Sequence, residues 1–394
     1  MNKILLALLV AITPTAFASV WYVDGVYGRN HNNCKSPETA CKTIGHAISL
    51  ASSGDTVRVA AATYTENLTI SINLKVIGSG ASTTIIDGGG VDTVVTISSA
   101  VVTLSGLTIQ HGGATTLGGG IHNSGTLTLN NGTVTQNQTK GLGSAGGGIY
   151  NSGILTINNS TISENSNSAS VSRGGGGILN VGGILTIKNS TISGNSVHRA
   201  AGVVARGGGI YNAGTLALNN STLSGNFAVV ARGPFGCAVP DGGGIYSQSG
   251  TVTINNSTLS GNFAENCNGD GDGGGIYGNV TLQNTIVANS PYGGNCSGTM
   301  TSKGYNLSSD NTCNFNGRGD FNDKYPGLGQ LGNYGGPTQT IPLLHGSPAI
   351  DAGNPNGCTD GNGHLLRTDQ REKPRPDRED KTGCDMGAFE RQKD

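Results

Sequence analysis

A four-residue phrase, Gly-Gly-Gly-Ile, occurs six times in the middle of this chain and constrains its fold more than any other feature. The six isoleucines lie 28 to 35 residues apart; they are Ile121, Ile149, Ile178, Ile210, Ile245 and Ile276. Self-similarity with a period of this size predicts a solenoid, in which each repeat packs only against its neighbours. A solenoid has no single central cleft, so function is expected on one of its faces or in the insertions between repeats.

Inside each repeat, apolar and polar residues alternate with a period of two, which predicts short strands rather than helices. Leu155 and Ile157 flank Thr156, and Ile162 follows the Asn158–Asn159 turn. One apolar column reads Leu127, Leu155, Leu185, Leu216, Val252 and Val280. Parallel coils stacked about 4.8 Å apart place equivalent side chains of successive repeats directly above one another. We therefore predict an all-β chain that forms a single right-handed parallel β-helix, with an amide ladder at the Asn pairs.

The repeats differ mainly in the length of the stretch before the next glycine triplet. This stretch covers Asn167–Arg173 in one copy, Val197–Arg206 in another and Phe227–Asp241 in a third. Insertions at one point of a repeat emerge on one face of a solenoid, which is often the binding face. Basic residues in the inserts could meet an anionic glycan, although a solvated loop charge explains any single one as well. They are Lys140, Arg173, Arg199, Arg206 and Arg232.

The segments on either side of the repeats predict a leader and two caps. Met1–Ala18 has the basic start, short apolar run and small-residue end of a secretory signal peptide. Cys41–Ser52 is helical in character, with an apolar face made of Ile44, Ala47, Ile48 and Ala51, and a solenoid needs such a cap over its open end. The predicted organisation is a signal peptide (1–18), an N-terminal cap (19–53), a β-helix (54–290) and an irregular C-terminal cap region (291–394).

Charge and cysteine content narrow the partners and the compartment. A net charge of −1 gives no basis for binding nucleic acid. Eight cysteines in an exported chain suggest disulfides. Cys237 and Cys267 occupy nearly the same place in consecutive inserts, so stacking would bring them within bridging distance. Proximity along the chain predicts the other three pairs, and no Cys or Cys/His spacing supports a metal. Those pairs are Cys34–Cys41, Cys296–Cys313 and Cys358–Cys384.

Acidic residues within the repeats are few: Glu164, Asp241, Glu265, Asp270 and Asp272. A hydrolase acting on polysaccharides needs paired carboxylates at a fixed separation. None of these residues is expected to recur at the same register in adjacent coils, so no catalytic group is predicted. Asp270 and Asp272 resemble part of a calcium loop but lack its later acidic ligand, and neither a metal nor a cofactor is predicted.

The position after the repeat isoleucine is aromatic in most copies. It is occupied by His122, Tyr150, Leu179, Tyr211, Tyr246 and Tyr277. If the isoleucine points inward, the next side chain points outward. Stacked coils would then display a partial tyrosine ladder, and exposed aromatic rows suit stacking against sugar rings. We predict Tyr150, Tyr211, Tyr246 and Tyr277 as candidate ligand-binding residues, with packing of these rings under the inserts as the alternative.

Both ends and the repeats resemble known exported proteins. Trp21–Asp24, the CKTI segment and TYTENLTI look like the start of bacterial right-handed parallel β-helix proteins. The GGGI and NSTISGN phrases are loosely similar to the repeats of polymorphic outer-membrane proteins. The C-terminal part resembles the choice-of-anchor Q region. The segments that carry this resemblance are Leu328–Leu331, Gly335–Thr340, Gly346–Gly353, Asp369–Arg371, Arg375–Pro376 and Cys384–Glu390.

These resemblances imply an exported protein at the bacterial cell surface or outside the cell. The apolar run in Met1–Ala18 is too short to span a bilayer, so no transmembrane segment is predicted in the mature chain. The C-terminal region is expected to cap the last coil. Asp351, Asp369, Arg371 and Glu390 are candidates there for an ion-pair network, because buried charges are usually paired.

Together, the sequence predicts a non-enzymatic, adhesin-like binding or structural protein whose partner is an extracellular glycan or a surface protein. The alternative is a polysaccharide-active enzyme, either a lyase, a hydrolase or an epimerase, on the same scaffold. A cluster of carboxylates or basic groups in adjacent coils would favour the enzyme.

Overall fold

The computed structural model describes residues 18–141, 143, 145–169, 174–233, 236–360, 363–377 and 383–392. The predicted signal peptide, apart from Ala18, and the insert residue Arg173 lie outside the described residues. Within the described part, three parallel sheets run along the molecule and stack one coil upon the next. The prediction of an all-β parallel β-helix is confirmed.

Sheet 1 contains two strand segments from most coils. Its strands are Val20–Val23, Thr56–Val59, Leu68–Ile70, Leu74–Gly78, Val95–Ile97, Val101–Ser105, Ile121–Asn123, Thr126–Asn130, Ile149–Asn151, Ile154–Asn158, Ile178–Lys188, Ile210–Asn219, Ile245–Asn255, Ile276–Gln283 and Cys296–Ser302. From Ile178 onward the two segments join into one longer strand per coil.

Sheets 2 and 3 form the other two sides of the coil. Sheet 2 is made of Ala62–Thr65, Thr84–Asp87, Thr108–Gln110, Thr133–Thr135, Thr161–Ser163, Thr191–Ser193, Thr222–Ser224, Thr258–Ser260, Ile286–Ala288 and Leu307–Ser308. Sheet 3 is made of Gly113–Ala114, Gln138–Thr139, Ser166–Asn167, Ser196–Arg199, Phe227–Val230 and Phe263–Glu265.

The repeat isoleucines pair in register from Ile121 to Ile276. They and the Leu, Ile and Val residues of the predicted inward columns are buried in one continuous core. Since each buried side chain meets a similar one on the next coil, the column pattern of the sequence translates directly into close packing.

Each glycine of the triplet is required for a different reason. The first adopts a left-handed backbone, as Gly146 does at φ +72°. A Cβ on the second would overlap backbone carbonyls, as at Gly243 against Phe263. A Cβ on the third, Gly148, would lie 2.8 Å from the side-chain carbon Cγ of Asn165. The triplet therefore marks the point where sheets 3 and 1 meet too closely for any side chain.

Buried amide ladders run along the stack, but the longest are not at the predicted Asn pairs. One joins Asn137, Asn165, Asn195, Asn226 and Asn262 through Nδ2–Oδ1 bonds of 2.9 Å. Another joins Asn123, Asn151, Asn180 and Asn212 through bonds of 2.7 to 2.8 Å. The predicted pairs form shorter ladders, such as the 2.9 Å bond from Asn158 to Asn130.

The N-terminal end is closed by a 3-10 turn, Pro37–Thr39, and an α-helix, Ile44–Leu50. Ile44 and Ala47 are buried, and Ile48 and Ala51 pack against the core, as predicted for the apolar face. Glu66 accepts the backbone N–H groups of Ile44 and Gly45 at 2.8 Å each, which satisfies two of the free donors at the helix start.

The C-terminal region does more than cap the last coil. Cys313 and Phe315 close the end of the core. The chain then turns back and crosses the outer face of sheet 2, where it bonds to several coils. The coil residues that hydrogen-bond to it include Asn159, Thr191, Asn220, Thr222, Thr258 and Asn284. The expectation of a simple end cap is therefore incomplete.

The predicted ion-pair network is present but has different members. Arg371 binds Asp369 at 2.6 Å, and Arg375 binds Glu390 at 2.8 Å, all buried. Asp351 is exposed and contributes only its backbone N–H, which donates to the buried carboxylate of Asp385. The prediction is thus wrong for Asp351, because exposure leaves its charge with water.

Asp385 and Glu390 are close enough for their charges to interact. Burial, together with the charge of Glu390, raises the pKa of Asp385 to about 8. Since Glu390 has Arg375 as its ion-pair partner, we assign the shared proton to Asp385.

All four predicted disulfides are present, including the bridge between consecutive inserts. In the described residues, no helix has the length and apolar character needed to cross a bilayer.

Candidate functional site

The tyrosine column is covered rather than exposed. Tyr211 is 3% exposed and Tyr246 is 9% exposed, while Tyr150 and Tyr277 are half-buried. Leu117 and Ala145, which precede glycine triplets, pack into the same cluster. The expectation of an exposed ladder is wrong for Tyr211 and Tyr246, because strand alternation sets the direction of a side chain but not what covers it.

The stacking geometry also weakens the case for sugar binding at these rings. Tyr246 and Tyr277 have centroids 5.2 Å apart and planes within 13°. Each ring therefore covers the face of its neighbour, and a sugar stacks on faces. The Tyr211 hydroxyl donates to Gln248, and the Arg206 guanidinium lies 5.3 Å from the Tyr246 centroid. Ligand contact through the exposed edges of Tyr150 and Tyr277 stays a prediction.

Two carboxylates do share a register, contrary to expectation. Arg206, Asp241 and Asp272 each stand immediately before a glycine triplet, and they pair across successive coils. Their shared position directly before a triplet is the sequence signal for this register. The Arg206 Nε donates to Asp241 at 3.1 Å, and Asp272 is exposed. We call these three residues the charged ladder.

The charged ladder shifts the pKa of one of its acids, Asp241. Burial raises the pKa of Asp241, and the negative charge of Asp272 raises it further, against the opposing effect of Arg206. A carboxyl with a raised pKa beside another carboxylate is the arrangement that supports general acid and base chemistry.

The remaining predicted charges do not join this ladder. Arg199 is buried and donates to the backbone and side-chain oxygens of Asn167, so its role is structural. Glu164 accepts from Gln136 on the surface. Among the described residues, one group has the spacing of metal ligands, namely Cys34, Cys41 and His46. The two sulfurs form a disulfide, which leaves no thiolate for a metal.

The outer face of sheet 1 carries a regular array that the sequence reasoning missed. Two rows of outward positions run along the molecule in unbroken register. The first row is Val101, Thr126, Ile154, Ile184, Thr215 and Thr251. The second is Thr103, Thr128, Thr156, Thr186, Ala217, Thr253, Thr281 and Thr301. We call these two rows the threonine face. These outward positions alternate along each strand with the inward apolar positions that predicted the core.

The threonine face is open, and its two rows carry no charged residue; Lys75 pairs with Thr103 at one end of the second row, and Lys188 lies two residues after Thr186. Val101, Ile154 and Ile184 are 45 to 57% exposed, unusual for β-branched apolar residues, and every threonine is exposed or half-exposed. Within the described chain, none of the ten threonine hydroxyls bonds to another protein group, so all ten can bind water or a ligand. Strand geometry spaces them about 4.8 Å between coils and roughly 6.7 Å along each strand.

A shorter aromatic row lies on sheet 3. Phe227 and Phe263 stack 5.1 Å apart, and Tyr292, which is 42% exposed, follows on the next coil. Stacking again hides ring faces, so this row offers less ligand surface than the threonine face.

No protein-family model matches this chain, and no curated protein matches it at a significant level.

Proposed function

We propose that this is an exported, non-enzymatic binding protein, adhesin-like, that holds an extracellular or cell-surface polysaccharide on its threonine face. The observation that carries the proposal is the pair of in-register rows with ten unbonded threonine hydroxyls. Hydroxyl and methyl groups in alternation suit the polar edges and apolar faces of sugars. Because the rows carry no charge, the expected ligand is a neutral polymer rather than an acidic one.

Repetition supplies affinity in this proposal. One threonine contact with a sugar is weak, but a polymer that engages several coils gains from effective concentration. A rigid β-helix loses little entropy on binding, because its side chains are already ordered by the stack.

Export is the second part of the proposal. Four disulfides persist in oxidising compartments, and Met1–Ala18 has the pattern of a signal peptide. The resemblance to choice-of-anchor Q and polymorphic outer-membrane proteins supports the cell surface as the location.

The test uses the disulfide-intact protein and a panel of neutral and acidic polysaccharides, both soluble and crystalline. The double variant Thr156→Lys and Thr186→Lys places two charges at the centre of the threonine face. Thr63→Lys, on an exposed threonine of sheet 2, is the matched control. We expect wild type and the control to bind a neutral polymer and the double variant to lose at least tenfold in affinity. Equal binding by all three proteins would remove the threonine face from the proposal.

The periodic hydroxyls also suit a solid that is not a sugar, so ice growth is followed with the same three proteins. Slowed ice growth that is lost in the double variant, without polysaccharide binding, would overturn the sugar ligand.

A second candidate function is a polysaccharide-active enzyme, and the charged ladder is the specific observation in its favour. Asp241 would act as the acid, and Asp272 would be the second carboxyl group of the pair. Release of reducing ends or of unsaturated uronides, lost in both Asp241→Asn and Asp272→Asn but kept in the threonine-face variant, would establish the enzyme over the binding protein.

A further inference from the structure

A buried carboxylate lies beside Val20–Val23, the first strand that the structure describes. Asp55 is 4% exposed and accepts three N–H groups. Its oxygens lie 2.6 Å from the backbone nitrogen of Ser19, 2.8 Å from the Trp21 indole nitrogen and 2.9 Å from the Ser52 nitrogen. Although burial raises the pKa of Asp55, the hydrogen bonds from Ser52, Trp21 and Ser19 outweigh it, and the pKa lies below its usual value.

This charge has no ion-pair partner among the described residues. Lys35, whose positive charge also helps to lower the pKa of Asp55, places its Nζ 3.1 Å from the centroid of the Trp21 ring and does not form an ion pair with the carboxylate. A buried, ionised carboxylate is costly unless a positive charge pairs with it. Among the described residues, therefore, no side-chain cation bonds directly to this buried carboxylate.

The backbone of Ser19 is held beside this carboxylate. The Thr56 N–H donates to the Ser19 carbonyl at 2.9 Å, and the strand that follows pairs with Thr56–Val59. Ala18, the preceding residue, is exposed, so the Ala18–Ser19 peptide bond lies at the surface. Ala16-Phe17-Ala18 is the small-residue pattern of a leader cleavage site.

We propose that cleavage between Ala18 and Ser19 creates an α-ammonium that pairs with Asp55 and locks the N-terminal cap. The leader peptidase breaks the Ala18–Ser19 amide bond with one water, whose hydroxyl stays on Ala18 and whose proton goes to the Ser19 amine. That amine is protonated near neutral pH. Export then strengthens the fold, because the uncut chain offers Asp55 only a neutral amide.

Only the cleavage step rests on the proposed export; the ion pair can be tested on purified protein. Three chains are compared, namely one with a free amine on Ser19, one acetylated on Ser19 and one that begins at Phe17. Each is made with Asp55 and with Asp55→Asn. Hydrogen exchange of the peptide that covers residues 52–59 reports on the lock.

With Asp55 present, we expect exchange in the free-amine chain to be roughly tenfold slower than in the other two. The difference should vanish in Asp55→Asn. Equal exchange in the free and acetylated chains would overturn the proposal, and this comparison needs no mutation if Asp55→Asn fails to fold. A difference that persists in Asp55→Asn would also overturn it, because the amine would then act elsewhere.

Mass spectrometry of the protein secreted by a bacterial host gives the natural end, which we expect to be Ser19; any other first residue contradicts the cleavage step. Polysaccharide binding is measured on the same samples. If the protein does not bind polysaccharide but the free-amine and acetylated chains still differ in hydrogen exchange, the proposed function fails and the ion-pair proposal stands.

Discussion

The buried amide ladder allows a quantitative test of what holds the coils together. Asn195 is fully buried. Its Oδ1 accepts the backbone N–H of Asn165 at 3.0 Å and the side-chain amide of the same residue at 2.9 Å. Its Nδ2 donates to the carbonyl of Ile162 and to Asn226 Oδ1, each at 2.9 Å. The substitution Asn195→Ala removes all four bonds and leaves a cavity.

The magnitude follows from what is left unpaired. The Asn165 backbone N–H loses its acceptor in a site closed to water, and an unsatisfied buried donor costs about 1–3 kcal/mol. The missing side chain adds a cavity term, so we expect a loss of about 2–4 kcal/mol in the free energy of unfolding. Asn158→Ala is the matched control, because Asn158 is half-buried and its amide donates one bond, to Asn130. Its expected cost is under about 1 kcal/mol.

Guanidinium unfolding of the oxidised protein, followed by far-ultraviolet circular dichroism, measures both variants. If the slope of the unfolding free energy against denaturant concentration is unchanged, each variant exposes the same amount of surface on unfolding as the wild type. Hydrogen exchange at residues 162–226 adds a local reading. If Asn195→Ala stays within about 0.5 kcal/mol of wild type with an unchanged slope, the ladder fills space without stabilising the stack, and the reasoning fails.

Three further predictions follow from other parts of the structure. Gly243→Ala should prevent close stacking of sheets 3 and 1 and lower the yield of folded protein. Gly143→Ala is the control and should lower the yield less, because a Cβ at Gly143 meets open space. Equal yields of the two variants in non-reducing gels would contradict this prediction. The pKa of Asp385 in the folded protein is about 8, far above its ordinary value, so folding takes up a proton between about pH 4 and 8. Protection of residues 384–392 from hydrogen exchange should therefore fall as the pH rises through this window. Protection that rises instead would contradict the assignment of the proton to Asp385. Tyr211→Ala should cost about 3–5 kcal/mol of stability and leave polysaccharide affinity of the folded fraction unchanged, whereas weaker binding at equal stability would restore the tyrosine ladder.

Local regularity explains what the sequence could predict. The inward columns and the Cys237–Cys267 bridge follow from stacking one repeat on the next, and they needed only the position of a residue relative to its own glycine triplet. The apolar face of the N-terminal helix follows instead from the helical spacing of its apolar residues. The charged ladder of Arg206, Asp241 and Asp272 belongs to the same class, since all three precede a triplet, and the period-two alternation likewise contained the threonine face.

Contacts between distant parts of the chain could not be read in this way. Tyr211 is covered in part by residues of the next coil, including Tyr246 and Gln248. The pairing of Thr222 with Gln370 joins residues 148 positions apart, and no local pattern specifies it. The Ser19–Asp55 contact also became visible only when the structure placed Ser19 beside a buried acid.

The returning C-terminal region has a consequence for how this protein can change over evolution. A stack of interchangeable rungs can gain or lose one rung by duplication or deletion without disturbing the rest. Here the return segment meets the stack at intervals from Asn159 to Asn284, so each of its contacts is matched to a particular rung. Adding a rung between those points would shift every later contact by about 4.8 Å. The return segment therefore fits only one number of coils between Asn159 and Asn284. Changes of length are expected in the insert loops and in the coils before Asn159.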